Sequence, residues 1–285
     1  METIAIIGAG MAGLTAAHVL ARAGRTVTVF EKSRGTGGRL ATRREDAGAF
    51  DHGAPMAQGD AAFDAAMESI GAERYGRGWR GNPGMSGLVK PLVAGLQIKG
   101  GCRIEAVSGA KGDWRLTDAD GILHGPYKEL IVAIPAPQAA ALLRDADFSN
   151  VEMAAQWTLM ATWPGIEVSV QSKPFTAICH QDRITSKPGA LVAHADLDWS
   201  ATHLEDDPET VKAALISALQ TASGVATQPS FATVHRWRYA RTARPLGAPF
   251  LRSGSGAFLG GDWAFGPNAG DAWRSGSAMA QAVLA

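Results

Sequence analysis

Apolar residues come first as an unbroken run from Thr3 to Ile7, which predicts a buried strand. The turn Gly8-Ala9-Gly10-Met11-Ala12-Gly13 follows, then a helical period to about Ala23, then a second apolar strand from Thr26 to Phe30 closed by Glu31. Strand, glycine turn, helix, strand and acid in that order mark a dinucleotide-binding βαβ unit. Gly8 permits the tight turn, Gly10 lets backbone N–H groups approach a pyrophosphate at the helix N-terminus, and Gly13 lets helix and strand pack closely. The carboxylate of Glu31 suits a ribose hydroxyl.

Beyond this unit, Asp60 to Ile70 reads as a helix, and Pro83-Gly84-Met85 opens another to about Leu96 with proline near its first turn. Short runs at Cys102 to Val107, Asp113 to Leu116 and Gly121 to His124 predict a small antiparallel meander. Leu130 to Ile134 is apolar throughout and ends at Pro135, as a parallel strand buried on both faces would. Strands are expected near Glu167 to Val170 and Leu191 to Ala195. A helix is expected through Thr210 to Thr221, with the acidic run Glu205 to Glu209 as its solvated start. Thr233 to Tyr239 alternates, which puts His235, Trp237 and Tyr239 on one face and Arg236 and Arg238 on the other. Ala257-Phe258-Leu259 reads as a buried strand running into Gly260-Gly261-Asp262-Trp263, and Asp271 opens a final helix to Ala285.

Composition narrows the possibilities without adding a site. At 285 residues and 46% hydrophobic, the chain can bury a large core in one or two domains. Lys plus Arg and Asp plus Glu both total 27, so no net field favours nucleic acid or an anionic membrane, and neither partner is expected. The first strand leaves no room for a signal sequence, and no stretch reaches about 18 unbroken apolar residues, so a cytoplasmic protein is expected. Cys102 and Cys179 form no CxxC pair and the histidines no HxxxH or HxH pair, so buried thiols are expected and a metal site is not.

Two segments bear on the choice between a nicotinamide and a flavin dinucleotide. After Glu31 a simple NAD domain turns into a crossover helix, whereas this chain has Lys32-Ser33-Arg34-Gly35-Thr36-Gly37-Gly38-Arg39 and then Thr42-Arg43-Arg44. Such a loop lets bare backbone and a guanidinium close over a phosphate or ribityl chain, and it reads equally well as a surface loop with solvated arginines. At the other end, a strand ending in Gly261-Asp262 can present a carboxylate to the ribityl hydroxyls of a flavin. The helix start beyond it can face the ring, its positive end stabilising charge that develops on reduction. With the N-terminal unit, this favours a flavin.

The motifs GAGMAGLTAA, VFEKSRGTGGRLATRR, FDHGA, NPGMSGLVKPL, IVAIPAPQAAALL, KPGALVAHADLDWS, HRWRYA and GGDWAF with DAWRSG fall in order over most of the chain. In this the chain resembles the glutathione-reductase-type FAD fold of the flavin amine oxidase superfamily, most closely the renalase-like oxidoreductases. The resemblance implies an α/β fold with a Rossmann-like FAD-binding domain, a parallel sheet with an antiparallel meander, built discontinuously from residues 1–52, 83–148 and 241–285. A smaller, interleaved α+β substrate domain would come from residues 53–82 and 149–240. It also implies non-covalent FAD, with Gly8, Gly10, Met11, Ala12 and Gly13 at the pyrophosphate, Glu31 on the adenosine ribose and Lys32 at the same edge. Gly38 and Arg39 would reach the pyrophosphate or ribityl region, Gly53 and Ala54 would lie against the flavin, and the backbone of Ile104 would meet the adenine. Gly261 and Asp262 match the flavin-chain position, with Ala272 and Trp273 near the final helix start.

For the substrate, the same resemblance implies oxidation of 2- or 6-dihydro-NAD(P) isomers by hydride transfer to the flavin, with O₂ as acceptor giving hydrogen peroxide. Such chemistry asks for alignment rather than an acid or base, so no side chain is assigned as catalytic. His235, Trp237, Tyr239, Arg236 and Arg238 read either as an aromatic and cationic wall for a planar, phosphate-bearing substrate, a dinucleotide among the candidates, or as a packed strand with solvated arginines. Arg74, Arg77 and Arg80 around Trp79, among Gly76, Gly78 and Gly81, read as a mobile lid or a plain loop, and His194 as a satisfied core histidine. Pro55-Met56 stands where renalase-like proteins usually have Gln-Tyr, which removes polar contacts beside the flavin. Two alternatives stay open: a flavin amine oxidase or desaturase of the same superfamily, and an FAD-binding sensing or partner module without turnover. Neither a lysine after Lys212 nor an evident aromatic pair supports the first.

Overall fold

The computed structural model describes residues 3–166, 168 and 173–285. Strand β1 (Thr3–Ile7), helix α1 (Met11–Arg22) and strand β2 (Thr26–Glu31) form the βαβ unit, and the hairpin β3 (Thr42–Glu45) and β4 (Gly48–Asp51) follows. Helix α2 (Ala61–Ser69) starts where Asp60 accepts the Phe63 N–H, and a second hairpin, β5 (Glu73–Tyr75) and β6 (Gly78–Arg80), leads onward. A 3₁₀ turn (Met85–Val89) runs into the one-turn helix α3 (Lys90–Val93) and then β7 (Gln97–Gly100). Strands β8 (Ile104–Ser108), β9 (Trp114–Asp118) and β10 (Leu123–Tyr127) make the meander, before β11 (Glu129–Val132) and α4 (Ala136–Leu142). The next section comprises β12 (Glu152–Thr162), β13 (Phe175–His180), β14 (Ala190–Ala195), α5 (Leu197–Thr202), α6 (Pro208–Ser223) and β15 (Phe231–Arg244). Strands β16 (Leu251–Arg252) and β17 (Phe258–Leu259) and helix α7 (Ala269–Leu284) complete the chain.

The main sheet has six strands in the order β16-β17-β11-β1-β2-β7, parallel except for β16. Alternation along β1 sends Ile4 and Ile6 to one face, where they pack with Leu14 of α1 and Met279 of α7. It sends Ala5 and Ile7 to the other face, where Trp114 and Leu116 of the meander and Ala136 of α4 cover them. Helices α1 and α7 approach closely, because a Cβ on Gly276 would stand 2.2 Å from the Ala12 carbonyl oxygen. The second sheet is antiparallel, in the order β13-β14-β12-β15. Trp157, Leu159 and Ala161 face α6 through Val211, Leu215 and Leu219, whereas Met160 and Val192 on the other face hold Phe50 of β4. The β3–β4 hairpin therefore packs on the second sheet.

Several expectations need correction. The helix from Met85 to Leu96 is broken, because Pro91 has no N–H for an i−4 carbonyl and Gly87 is pressed against Asn82, where a Cβ would lie 2.4 Å from the carbonyl oxygen. The Arg74–Arg80 segment is a hairpin rather than a free loop: Trp79 is buried and donates from Nε1 to Asp64 at 2.7 Å, and Arg74 stacks over its ring. Of the expected strand at Glu167 to Val170, all but Val168 lies outside the described residues.

Replacing Gly276 with alanine should separate α1 from α7 and cost about 1–3 kcal/mol, as overpacked cores do. Urea unfolding followed by far-UV circular dichroism should show the midpoint fall; an unchanged midpoint would mean that the contact is not constraining.

Candidate functional site

At the end of β1 the glycine turn is forced by contact on two sides and open on the third. Gly8 has φ +104°, and a Cβ there would sit 2.5 Å from the Ala133 carbonyl oxygen, while one on Gly13 would sit 1.9 Å from that of Gly8. Gly10 has φ −83°, and nothing lies within 4 Å of the place its Cβ would take. Gly10 caps α1 with no side-chain hydrogen bond, and Met11 and Ala12 open a first turn that carries no acid, so the positive end of the helix faces this open side. Glu31 is buried beneath the turn, its carboxylate accepting from Ala9 N and Ser33 N, both at 2.8 Å. Lys32 beside it is exposed. Ile104 is buried at the start of β8, just after Cys102 donates its N–H to the Glu31 carbonyl at 2.9 Å.

The loop after Glu31 folds back over the turn. Gly37 donates to the Ala9 carbonyl at 2.8 Å, and Gly38, with φ +55°, lies against Gly10. This delivers Arg39 to a junction of four chain segments. Its guanidinium donates to both oxygens of Asp262 at 2.7 and 2.6 Å and to the Ala240 carbonyl at 3.2 Å, and its own carbonyl accepts from Ala54 N at 2.8 Å. Gly53 packs so closely on Arg39 that a Cβ would fall 2.1 Å from the Arg39 carbonyl oxygen. Burial works against the charge of Arg39, but the charge and hydrogen bonds of Asp262 outweigh it and raise its pKa. Thr242 adds a hydrogen bond to Asp262 at 3.0 Å, and Gly261 N donates to Ser275 Oγ of α7 at 3.1 Å. Ala272 is buried in the first turns of α7, with the Trp273 ring 6.2 Å from that of Phe63.

A second group lies on the hairpin side of the four-stranded sheet. Pairing of β12 with β14 and β15 puts His194, Thr158 and His235 in one cross-strand row, with Thr158 Oγ1 3.1 Å from His194 Nδ1. His52, just after β4, covers that row: its ring is 5.0 Å from His235 and 5.1 Å from Trp237, and Trp237 Nε1 donates to its carbonyl at 3.0 Å. Burial foremost holds all three imidazoles neutral, lowering each pKa to about 4. His235 and Arg43 add to the effect on His52, Arg43 to that on His235, and Arg241 to that on His194. His52 Nδ1 and His194 Nε2 are buried without a hydrogen-bond partner.

The five substrate candidates do not stay together. His235 and Trp237 meet at 4.2 Å beside His52, but Arg236 donates to the Leu204 carbonyl at 2.8 Å and Arg238 forks onto Glu205 at 2.6 and 2.8 Å, on the α5–α6 side of the sheet. Tyr239 falls at a bulge, where pairing slips from Gln156 with Trp237 to Ala154 with Arg241, so simple alternation fails there. Sequence reasoning missed His52, whose signal was its place before Gly53 and Ala54, and the open Nε2 of His194, which had none.

Comparison with known proteins bears on the N-terminal unit and on the fold. Residues 6–66 match the model of the NAD(P)-binding Rossmann-like domain. An L-amino-acid oxidase from Bothrops pauloensis is 58% identical over 43 residues, 15% of this chain and 8% of that protein. A 4,4'-diapophytoene desaturase from Staphylococcus haemolyticus is 40% identical over 68 residues, 24% of this chain and 14% of that protein. The chain thus matches only a small part of the length of these curated relatives. Over the whole chain the fold is that of solved oxidases: cyclohexylamine oxidase from Brevibacterium oxydans superposes with a TM-score of 0.68 at 13% identity, covering 99% of this chain and 98% of that one. A putrescine oxidase redesigned in its cofactor binding gives 0.72 at 13% identity over 99% of both chains.

Two outcomes follow from the geometry. Asp262→Asn should remove the counter-charge of Arg39 and destabilise the protein by about 2–3 kcal/mol, under the roughly 3–5 kcal/mol of a fully buried pair because Arg39 is partly exposed. A urea midpoint equal to that of the parent would dissolve this account. For the histidines, neutral when folded and protonated when unfolded, stability is full above about pH 6.5 and lost as pH falls toward 4. Each contributes a slope of up to about 1.4 kcal/mol per pH unit in that window, and His194→Asn should flatten the measured pH profile there.

Proposed function

We propose that this chain is an FAD-dependent oxidoreductase with a discontinuous cofactor part (1–52, 83–148 and 241–285) and a substrate part (53–82 and 149–240). The observation that carries the reading is the Arg39 junction, which links the glycine turn to the Gly261-Asp262 strand end and to the Gly53-Ala54 loop. A bare nicotinamide domain has no use for such a bridge. The residues fit the group: the space beside Gly10 leaves room for a pyrophosphate, and the open helix end above it offers N–H donors. Gly8, Gly13, Met11 and Ala12 would shape that cradle, Glu31 and Lys32 the ribose edge, and Ile104 the adenine edge. Gly38, Arg39, Gly261 and Asp262 would hold the linking chain, and Gly53, Ala54, Ala272 and Trp273 the ring. Bound FAD would supply a two-electron acceptor there.

The chain's own residues would then bind and orient the substrate. Trp237 fixes the carbonyl of His52, so His52, His235 and Trp237 form one packed wall of uncharged rings with a spare hydrogen-bonding atom at His52 Nδ1. The charge that acts on both imidazoles of this wall is the Arg43 guanidinium, paired in turn with Glu45 at 2.6 Å, so the rings meet a cation rather than a bare carboxylate. That favours a neutral or anionic reductant over an ammonium, and supports the 2- and 6-dihydro-NAD(P) isomers as candidate substrates with O₂ as acceptor. Oxidation of an amine or amino acid is the second reading, favoured by the likeness of the N-terminal segment to L-amino-acid oxidases.

Gly10→Ala should fold with its stability unchanged, since the new methyl meets no protein atom, yet lose flavin, read as flavin absorbance per protein after gel filtration. Full flavin content in a folded Gly10→Ala protein would contradict the cradle. Anaerobic stopped-flow with the dihydro-NAD(P) isomers, ordinary NAD(P)H, amines and L-amino acids should bleach the flavin with the isomers. Bleaching by an amine or amino acid alone would select the second reading, and silence from all would leave a non-catalytic FAD module.

A further inference from the structure

A cluster that the proposed function does not use lies on the meander side of the main sheet. Cys102 precedes β8, Asp118 closes β9 and His124 lies in β10. Their donor atoms converge: Cys102 Sγ is 3.5 Å from Asp118 Oδ2 and 3.8 Å from His124 Nε2, and the last two are 2.8 Å apart. We propose that Cys102, Asp118 and His124 are the three protein ligands of a zinc ion, with the fourth position left to water. Zinc takes sulfur at about 2.3 Å and nitrogen or oxygen at about 2.0–2.2 Å, so tetrahedral donor pairs lie roughly 3.3–3.6 Å apart. Both sulfur pairs are close to this range, and only the hydrogen-bonded nitrogen–oxygen pair must open, by about half an ångström.

The donors are held in place from behind. Asp118 Oδ1 accepts from Asp120 N at 3.1 Å and Ile122 N at 2.9 Å, which turns Oδ2 towards the other two donors. The His124 ring packs on Phe30 with centroids 5.0 Å apart, and His124 and Asp118 show only 9% and 6% of their side chains to solvent. Such outer support is what fixes a metal ligand's orientation. Without metal, Lys99 Nζ lies 3.1 Å from His124 Nδ1 and donates to it, so that Nε2–H can donate to Asp118. Metal binding moves the imidazole proton to Nδ1, turns the Lys99 ammonium aside on its flexible stem, and releases the Cys102 thiol proton to solvent. Thiolate and carboxylate then balance the two positive charges of the ion. The donors stand 16 and 6 positions apart in sequence, on separate segments of the meander, so no short spacing motif reveals them.

The test uses the full-length protein, freed of metal with a chelator and titrated with Co²⁺ as a visible substitute for zinc. One equivalent should bind and produce a thiolate-to-cobalt charge-transfer band that Zn²⁺ abolishes. Cys102→Ser should lose the band and Cys179→Ser should keep it, while Asp118→Asn and His124→Gln should each weaken binding at least about tenfold. No band from the unaltered protein at saturating Co²⁺ would overturn the proposal, whatever the variants do. A band that survives Cys102→Ser would overturn it equally. The result is independent of flavin binding and of turnover.

Discussion

The fork between Arg39 and Asp262 ties together parts of the chain that lie far apart in sequence. Asp262 is 3% exposed, and a carboxylate taken out of water that far is tolerated only with a cation and further donors around it. Arg39 fills two of those places and Thr242 the third. The same arginine fixes Ala240 through its guanidinium and Ala54 through its carbonyl. One residue near the N-terminus therefore sets the positions of β15, of the loop after β4 and of the C-terminal strand end. The section from β12 to β15 is an excursion that leaves the main sheet and is tied back to it at this point.

That dependence explains which parts of the fold were legible in the sequence. The βαβ unit, the meander, strand β11, strand β14 and helices α2, α6 and α7 carry their own period, caps or turn residues, and a local reading suffices for them. Strand β12, central to the second sheet, carries no local signal, because Glu152 to Thr162 mixes polar and apolar residues and owes its conformation to partners far along the chain. Strand β15 was read only over its alternating half, since the bulge near Tyr239 breaks the period. The Arg74–Arg80 hairpin looked like a loop because its glycines are local, whereas the contacts that order Trp79 and Arg74 come from Asp64 on α2.

The same distinction runs through the candidate site. Glycines and acids that shape a dinucleotide cradle are written in a short stretch, since one turn and one strand end do the work. The wall on the second sheet is not, because it depends on register. His194, Thr158 and His235 form a row only when three strands pair in the order β14-β12-β15, and His52 joins them only because Phe50 seats β4 on the same sheet. Arg236 and Arg238 leave the wall for a reason equally remote from their own sequence: Glu205 and the Leu204 carbonyl wait on the other side.

The division of charge between the two parts follows from this arrangement. At the cradle, an open helix end and the guanidinium of Arg39 gather positive potential, compensated there by the buried acids Asp262 and Glu31. On the wall, two imidazoles 5.0 Å apart under the charge of Arg43 cannot both take a proton without mutual repulsion, and burial removes the water that would screen it. They stay neutral, and a neutral imidazole can donate or accept a hydrogen bond without imposing a charge on what it meets. In the proposed reading, a substrate would be met here by ring stacking and by the spare nitrogen of His52.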